Sequence, residues 1–256
     1  MAILASIGLC SGVLGGLLGL GGGAFVVPAL VFFLAFDQHR AHGTSLAIVL
    51  AMSVSSVITY SLHHYIDLLL AIEIAIGGVV GALIGGCIVN HIKSKILRRL
   101  FSVFLLAAGL KMGLDGYGIL HGAQVAVGTG AIPKLLCNGS MIAVGTGVVT
   151  GFLSSLLGVG GGVVMVPMLT MLLHFPQQQA QGISLAAMMP IAFTGMFKHY
   201  KLGNVSVPVA KWVSVGAIAG GVVGSSLANA MDPGRLKIAF AAFVVLMAAL
   251  MAAKKK

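Results

Sequence analysis

The chain has 256 residues, of which 59% are hydrophobic and only 8% are charged, and its mean hydropathy is +1.09. A soluble domain of this length needs about three times that charged fraction to cover its surface, so the composition excludes a soluble globular protein. The net charge of +10 comes from basic residues at the ends of apolar segments, which indicates orientation signals in a lipid bilayer and no nucleic-acid partner. The fold class predicted is an all-α polytopic membrane protein.

The first predicted element, residues 3–36, is a long apolar segment that contains a glycine-rich break. The break is followed by Pro28 and consists of Gly19, Leu20, Gly21, Gly22 and Gly23. Irregular backbone persists at membrane depth only where it is buried in protein or lines a cavity. Its four glycines are therefore predicted to contact a substrate.

Three ordinary helices are predicted to follow, over residues 43–63, 68–90 and 97–114. The first of them opens with the hydroxyl residues Thr44 and Ser45, and His64 lies at its end. The hydroxyls could cap the helix or donate hydrogen bonds to substrate oxygens, and the sequence leaves both interpretations open. Glu73 lies within the next helix, and an acid inside a membrane span is a functional candidate.

A more polar, glycine-rich linker over residues 115–140 separates this repeat, residues 1–114, from a second one, residues 141–256. The second broken segment, 141–175, carries Pro167 after its break, which lies 139 positions after the first. The break consists of Gly158, Val159, Gly160, Gly161 and Gly162. An internal duplication explains this recurrence. Paired interrupted segments indicate a binding site, so the four glycines of this break are predicted to contact the substrate as well.

The second repeat continues with helices predicted over residues 181–200, 207–230 and 235–253. The 139-residue offset pairs Ser45 with Ser184, which is therefore predicted to contact the substrate as well. Glycines recur at every fourth position in both halves: Gly77, Gly81 and Gly85, and Gly216, Gly220 and Gly224. Such a series favours close helix contact within the chain first and a homodimer face second.

The broken segments can be kinked spanning helices or re-entrant hairpins. Kinked spans would divide the basic residues almost evenly between the two faces, eight against seven. Hairpins place eleven on one face: Arg40, Lys93, Lys95, Arg98, Arg99, Lys198, Lys201, Lys211 and Lys254 to Lys256. The four on the other face are Lys111, Lys134, Arg235 and Lys237. The positive-inside rule favours hairpins, two inverted repeats and cytoplasmic termini.

In the hairpin arrangement, the two breaks approach each other from opposite faces, and the helix after each break begins inside the protein. Free amide groups and the helix dipole make such a helix start attractive to anions, so we expect an anionic substrate. The other interpretation is that the glycines only permit tight helix packing.

Three residues at the ends of helices, with Glu73, are candidates for gating or proton coupling. His64 and His199 are titratable, and Lys198 precedes the latter. They could equally be interfacial residues whose polar tips reach the headgroups.

The sequence predicts neither an enzyme nor a metal or cofactor site. The three cysteines, Cys10, Cys87 and Cys137, are far apart, and no CxxC, HExxH or GxSxG motif occurs.

The segment from Gly15 to Leu30 reads Gly-Gly-Leu-Leu-Gly-Leu-Gly-Gly-Gly-Ala-Phe-Val-Val-Pro-Ala-Leu. It resembles the first segment of the TauE/SafE sulfite-exporter family, also called the toluenesulfonate uptake permeases. The copy from Gly151 to Leu169, the Gly-Thr-Ser-Leu at 43–46 and His199 are similar to that family too, so the resemblance covers essentially the whole chain. It implies an inner-membrane carrier of sulfite, sulfonates or related anions that needs no prosthetic group.

The function predicted is therefore a secondary transporter that moves a small sulfur oxyanion or organosulfonate, such as sulfite, sulfoacetate or a taurine-like compound, by alternating access. A proton or sodium ion is a possible coupling partner, and a homodimer is a possible assembly. The alternatives are a passive anion channel and a non-transporting membrane assembly subunit.

Overall fold

The computed structural model describes residues 2–88, 94–120, 138–157 and 161–253, and every regular element in these ranges is an α-helix. The first repeat contains α1 (Ala2–Leu18), α2 (Gly23–Leu34), α3 (Gln38–Leu62), α4 (Leu68–Ile88) and α5 (Ser94–Leu120). The second contains α6 (Asn138–Leu157), α7 (Gly162–Met171), α8 (Gln177–Lys201), α9 (Val207–Ala230) and α10 (Pro233–Ala253).

The prediction of an all-α polytopic membrane protein is confirmed. Five helices of the described part, α3, α4, α8, α9 and α10, are long and apolar enough to cross a membrane. Each predicted broken segment consists of two shorter helices, α1–α2 and α6–α7. The predicted linker is partly helical, because α5 continues to Leu120 and α6 begins at Asn138; residues 121–137 lie outside the described residues.

Local sequence signals account for several helix boundaries. The Asp37 carboxylate accepts a hydrogen bond from the Arg40 amide (3.0 Å) and so caps α3. Asp67 does the same for α4 by accepting from the Leu70 amide (3.1 Å). Proline lies in the first turn of α9, where its missing N–H costs nothing.

The surface is apolar and the interior contains polar side chains, the reverse of a soluble protein. Large apolar side chains are exposed on most helices, including Phe32, Phe33, Ile58, Leu69, Ile76, Leu110, Phe193 and Val223. Buried polar side chains include Thr44, Ser45, Ser53, Ser56, Gln177, Gln181 and Ser184. Lipid tails can cover the exposed apolar side chains, whereas the buried polar side chains lie between packed helices.

The chain turns back on itself at the first break. A Cβ built on Gly15 would lie 2.7 Å from the Gly22 Cα, and one built on Gly22 would lie 3.1 Å from the Ser11 carbonyl oxygen. Seven residues of continuous helix would instead separate Gly15 from Gly22 by about 10 Å. The chain therefore reverses direction at the first break, where α2 begins beside the last turns of α1.

Each repeat packs its first helix against the other repeat. Helix α1 lies along α9, and its counterpart α6 lies along α4, the counterpart of α9. Glycines make these contacts close: Gly216 and Gly220 face the α1 backbone, and Gly77 and Gly81 face that of α6. The first interpretation of the glycine series, close contact within the chain, is confirmed, and these four glycines are not free to form a dimer face.

Counterpart helices that touch each other run antiparallel. The start of α3 meets the end of α8, since a Cβ at Gly43 would lie 3.0 Å from the His199 Cβ. In α5, Gly109 faces Val245 of α10 and Gly116 faces Ile238, so these helices are antiparallel as well. Parallel repeats would make both pairs parallel, so the contacts favour the inverted arrangement. Its orientation in a membrane stays a prediction.

The close helix contacts predict a stability difference between two Gly→Ala variants. A Cβ at Gly220 would press on the Leu9 carbonyl oxygen and lie 2.8 Å from the Val13 amide, both of them backbone atoms. Gly220→Ala should therefore force α1 and α9 apart and destabilise the protein by about 1–3 kcal/mol. Gly145→Ala is the control, because a Cβ there meets nothing within 4 Å, and it should be neutral or slightly stabilising. Thermal unfolding in detergent measures both, and equal melting temperatures would contradict this packing.

Candidate functional site

The two glycine breaks touch each other. A Cβ built on Gly162, the first residue of α7, would lie 2.7 Å from the Gly19 carbonyl oxygen and 2.7 Å from the Leu20 Cα. The prediction that the breaks approach each other is therefore confirmed. The start of α7 therefore lies against the first break, inside the protein.

The first break needs glycine for its backbone conformation. Gly19, Gly21 and Gly22 have φ angles of +69°, +71° and +72°, in the left-handed region that side chains disfavour. Gly22 is the N-cap of α2; its carbonyl accepts hydrogen bonds from the Phe25 and Val26 amides (3.0 Å each), and no side chain caps the helix. Gly23 is the first residue of α2 and is buried.

The second break is not an identical copy. Gly161 caps α7 with ordinary helical angles, φ −63° and ψ −27°, and again no side chain caps the helix. Its carbonyl accepts from the amides of Val164 (3.2 Å) and Met165 (2.9 Å). Gly158 and Gly160, the other predicted contacts in this break, lie outside the described residues.

The carbonyl groups that end α1 already have partners. The Tyr60 hydroxyl donates to the Gly16 carbonyl (3.0 Å), the Leu20 amide donates to Gly15 (3.0 Å), and the Ser184 hydroxyl donates to Gly19 (3.2 Å). Ser184 therefore lies at the first break, where its hydroxyl group donates a hydrogen bond to the backbone. With these carbonyls bonded, the helix starts at Gly22 and Gly161 are the polar groups at the breaks that have no side-chain cap.

Gln181 is the site residue that the sequence analysis missed. It is fully buried, and a Cβ built on Gly19 would lie 2.6–2.7 Å from its Cα, Cβ and Cγ. Its Oε1 lies 2.9 Å from the Tyr60 hydroxyl, and its Nε2 has no partner among the described residues. The sequence signal was present: four of the five residues from Gln177 to Gln181 are glutamines in an otherwise apolar chain.

The structure does not bring Thr44 to the first break. Its hydroxyl accepts a hydrogen bond from the Ser206 amide (3.0 Å), so it fixes the start of α9. Thr44 lies two turns, about 12 Å, before Met52, the residue of α3 that contacts Gly22. The Ser45 hydroxyl donates to the His42 carbonyl (2.9 Å), a bond within its own helix. The 139-residue offset that pairs Ser45 with Ser184 also pairs His42 with Gln181, so the first repeat has a histidine at the position where the second repeat has the buried glutamine.

The residues predicted for gating do not form one cluster. His64 is exposed beyond the end of α3, whereas His199 lies beside Gly43 at the start of α3, because α3 and α8 are antiparallel. His199 is half-buried and its Nδ1 has no partner within the described residues, while Lys198 is exposed. Glu73 is half-buried on α4. Gating or coupling by these four residues stays a prediction.

No group of three His, Cys, Asp or Glu side chains in the described ranges is arranged to hold a metal ion. The groups gathered at the breaks are backbone amides, hydroxyls and a carboxamide. Those that the structure describes can bind an anion through hydrogen bonds and include no nucleophile paired with a base.

Comparison with known proteins identifies the family. The sequence profile described as "Sulfite exporter TauE/SafE" matches residues 1–112 and 143–256. The chain belongs to the TauE/SafE family. The match covers both repeats and both breaks, so the chain is a multi-pass membrane protein of a transporter family.

Curated relatives carry names that agree with this assignment. A probable membrane transporter protein of Methanocaldococcus jannaschii is 30% identical over 93% of the chain and 90% of its own length. The probable membrane transporter protein YunE of Bacillus subtilis is 28% identical, with 90% and 89% covered. One from Haemophilus influenzae is 26% identical, with 94% of each covered. No solved structure matches this chain.

Proposed function

We propose that this TauE/SafE protein is a secondary transporter that moves a small sulfur-containing oxyanion or organosulfonate across the cytoplasmic membrane by alternating access. The observation that carries the proposal is the contact between the two breaks, in which the start of α7 lies against Gly19 and Leu20, a few residues before the start of α2. The family description supports the sulfur chemistry, since it reads "Sulfite exporter".

The electrostatics of the breaks favour an anion over a cation. A helix start carries about half a positive elementary charge, and unbonded amide groups there point at a ligand. The carbonyls of Gly15, Gly16 and Gly19, which a cation would need, are already bonded to a backbone amide and two hydroxyls. Gln181 adds a side-chain donor beside Gly19.

The way in which the halves share helices supports alternating access. Since α1 packs on α9 and α6 on α4, the first helix of each repeat is anchored to the opposite repeat. A rocking movement of one half relative to the other would then open the contact of Gly162 with Gly19 toward one face at a time. A proton or sodium ion could drive the cycle.

Transport assays test the proposal directly. Proteoliposomes that contain the purified protein should take up radiolabelled sulfite, sulfoacetate or taurine with saturable kinetics, whereas protein-free vesicles should not. A rate that rises linearly with concentration would instead indicate a passive channel. A protein that neither binds nor moves any of these anions would fit an assembly subunit and contradict the proposal.

The proposed topology places both termini in the cytoplasm of an inner-membrane protein, and cysteine labelling tests it. In a background without Cys10, Cys87 and Cys137, a membrane-impermeant maleimide added to cells should label His64→Cys and spare His39→Cys; both positions are exposed. Kinked spans with a cytoplasmic amino terminus would reverse the two results and would also spare Leu202→Cys. Kinked spans in the opposite orientation would instead expose Leu202→Cys, so protection of this position excludes them. Labelling after detergent treatment controls for reactivity.

A further inference from the structure

One face of α8 lies along the first break. With about 100° between successive helical residues, Gln177, Gln181, Ser184 and Met188 lie within an arc of about 60°. Three of them touch the break: Ser184 bonds to the Gly19 carbonyl, Gln181 packs on Gly19, and a Cβ at Gly21 would lie 2.6 Å from the Met188 Cε. Gln177 shares this face, one turn beyond Gln181 and therefore just past Gly19.

The carboxamide of Gln177 is buried without a partner. Only 3% of the residue is exposed, and neither Oε1 nor Nε2 has a hydrogen-bond partner among the described residues. Leaving a buried amide unbonded costs about 1–3 kcal/mol. A leucine would fill this position at no such cost, so the carboxamide indicates a polar ligand group.

We propose that Gln177 binds a second polar group of the substrate, about one helical turn from the anionic group; this rests on the proposed function. Side chains at i and i+4 stand about 5–6 Å apart, so Gln181 can bind the oxyanion while Gln177 binds the other end. A carboxamide both donates and accepts, which suits a hydroxyl, amino or amide group. The substrate class is thus a short sulfonate with such a group, rather than bare sulfite.

Two sulfonates that differ only in a hydroxyl group test this assignment: 2-hydroxyethanesulfonate and ethanesulfonate. Calorimetric titration of the purified full-length protein should show that the hydroxylated ligand binds about tenfold more tightly, which corresponds to one hydrogen bond from a buried group. Gln177→Leu should remove this preference and leave the affinity for ethanesulfonate unchanged. Gln179→Leu is the matched control, since Gln179 points about 170° away from the face centre and should retain the preference.

Each outcome distinguishes the two proposals. Equal affinity of the wild type for the two ligands would overturn the role of Gln177, and this comparison needs no variant to fold. A preference that survives in Gln177→Leu would overturn it as well, while transport of sulfonates would still stand. If the wild type binds neither sulfonate nor any other sulfur anion, the proposed function itself fails.

Discussion

Gly161→Ala is expected to abolish transport while the melting temperature of the purified protein stays close to that of the wild type. Gly161 has helical φ and ψ angles, so an alanine adopts the same backbone without strain. Replacing an N-cap glycine by alanine costs at most about 1 kcal/mol. The new methyl group would stand at the start of α7, where the proposed anion binds to amide groups. A loss of transport with little loss of stability therefore reports on the ligand.

The equivalent change in the first repeat has a different expected signature. Gly22 has a φ of +72°, and a Cβ there would lie 3.1 Å from both the Met52 Sδ and the Ser11 carbonyl oxygen. The left-handed conformation alone costs an alanine about 1–2 kcal/mol. Gly22→Ala should thus lose both transport and stability.

Uptake of a labelled sulfonate and thermal unfolding in detergent, measured on the same preparations, separate these effects. Gly145→Ala on α6 should behave as the wild type in both assays, because the added Cβ has no neighbouring atom within 4 Å. If Gly161→Ala and Gly22→Ala both transport normally, the glycines serve packing only. The half-buried His199 would then be the next position to examine.

Periodic and repeated features of the sequence were sufficient to predict the helices and the two breaks. The 139-residue offset identifies both breaks, because the duplicated glycines and prolines must satisfy the same local geometry twice. The exchange of helices between repeats could not be predicted in this way. It depends on which surfaces fit together, and the sequence shows only that α4 and α9 each have one face of small residues.

The contact between the two breaks was predicted from the repeated backbone pattern, whereas the side chains around it depend on packing between repeats. Ser184 was predicted through the repeat offset, but Gln181 was missed. Both residues are more than 160 positions from Gly19 and approach it only because α8 packs across the repeats. Thr44 was predicted as a substrate contact from its place at a helix start. In the structure, the Thr44 hydroxyl accepts a hydrogen bond from the Ser206 amide. This contact between α3 and the start of α9 is not indicated by any local sequence pattern.

A monoanion should bind far more tightly than a dianion of the same shape. The two helix starts together provide at most about one positive elementary charge, and the carbonyl end of α1 opposes part of it. The side chains described at the breaks, Gln181, Ser184, Met188 and Val49, carry no charge. A second negative charge would therefore be buried without compensation, which costs several kcal/mol.

Methanesulfonate and sulfate make the comparison at nearly constant size, since both are tetrahedral and a methyl group replaces one oxygen. We expect methanesulfonate to bind at least about 100-fold more tightly, because each 1.4 kcal/mol changes the affinity tenfold. Competition against a labelled sulfonate in proteoliposomes at neutral pH, where both ions hold their full charge, measures the ratio. Sulfate that competes as well as methanesulfonate would require a basic side chain at the breaks, and the helix starts could then not be the principal source of anion binding.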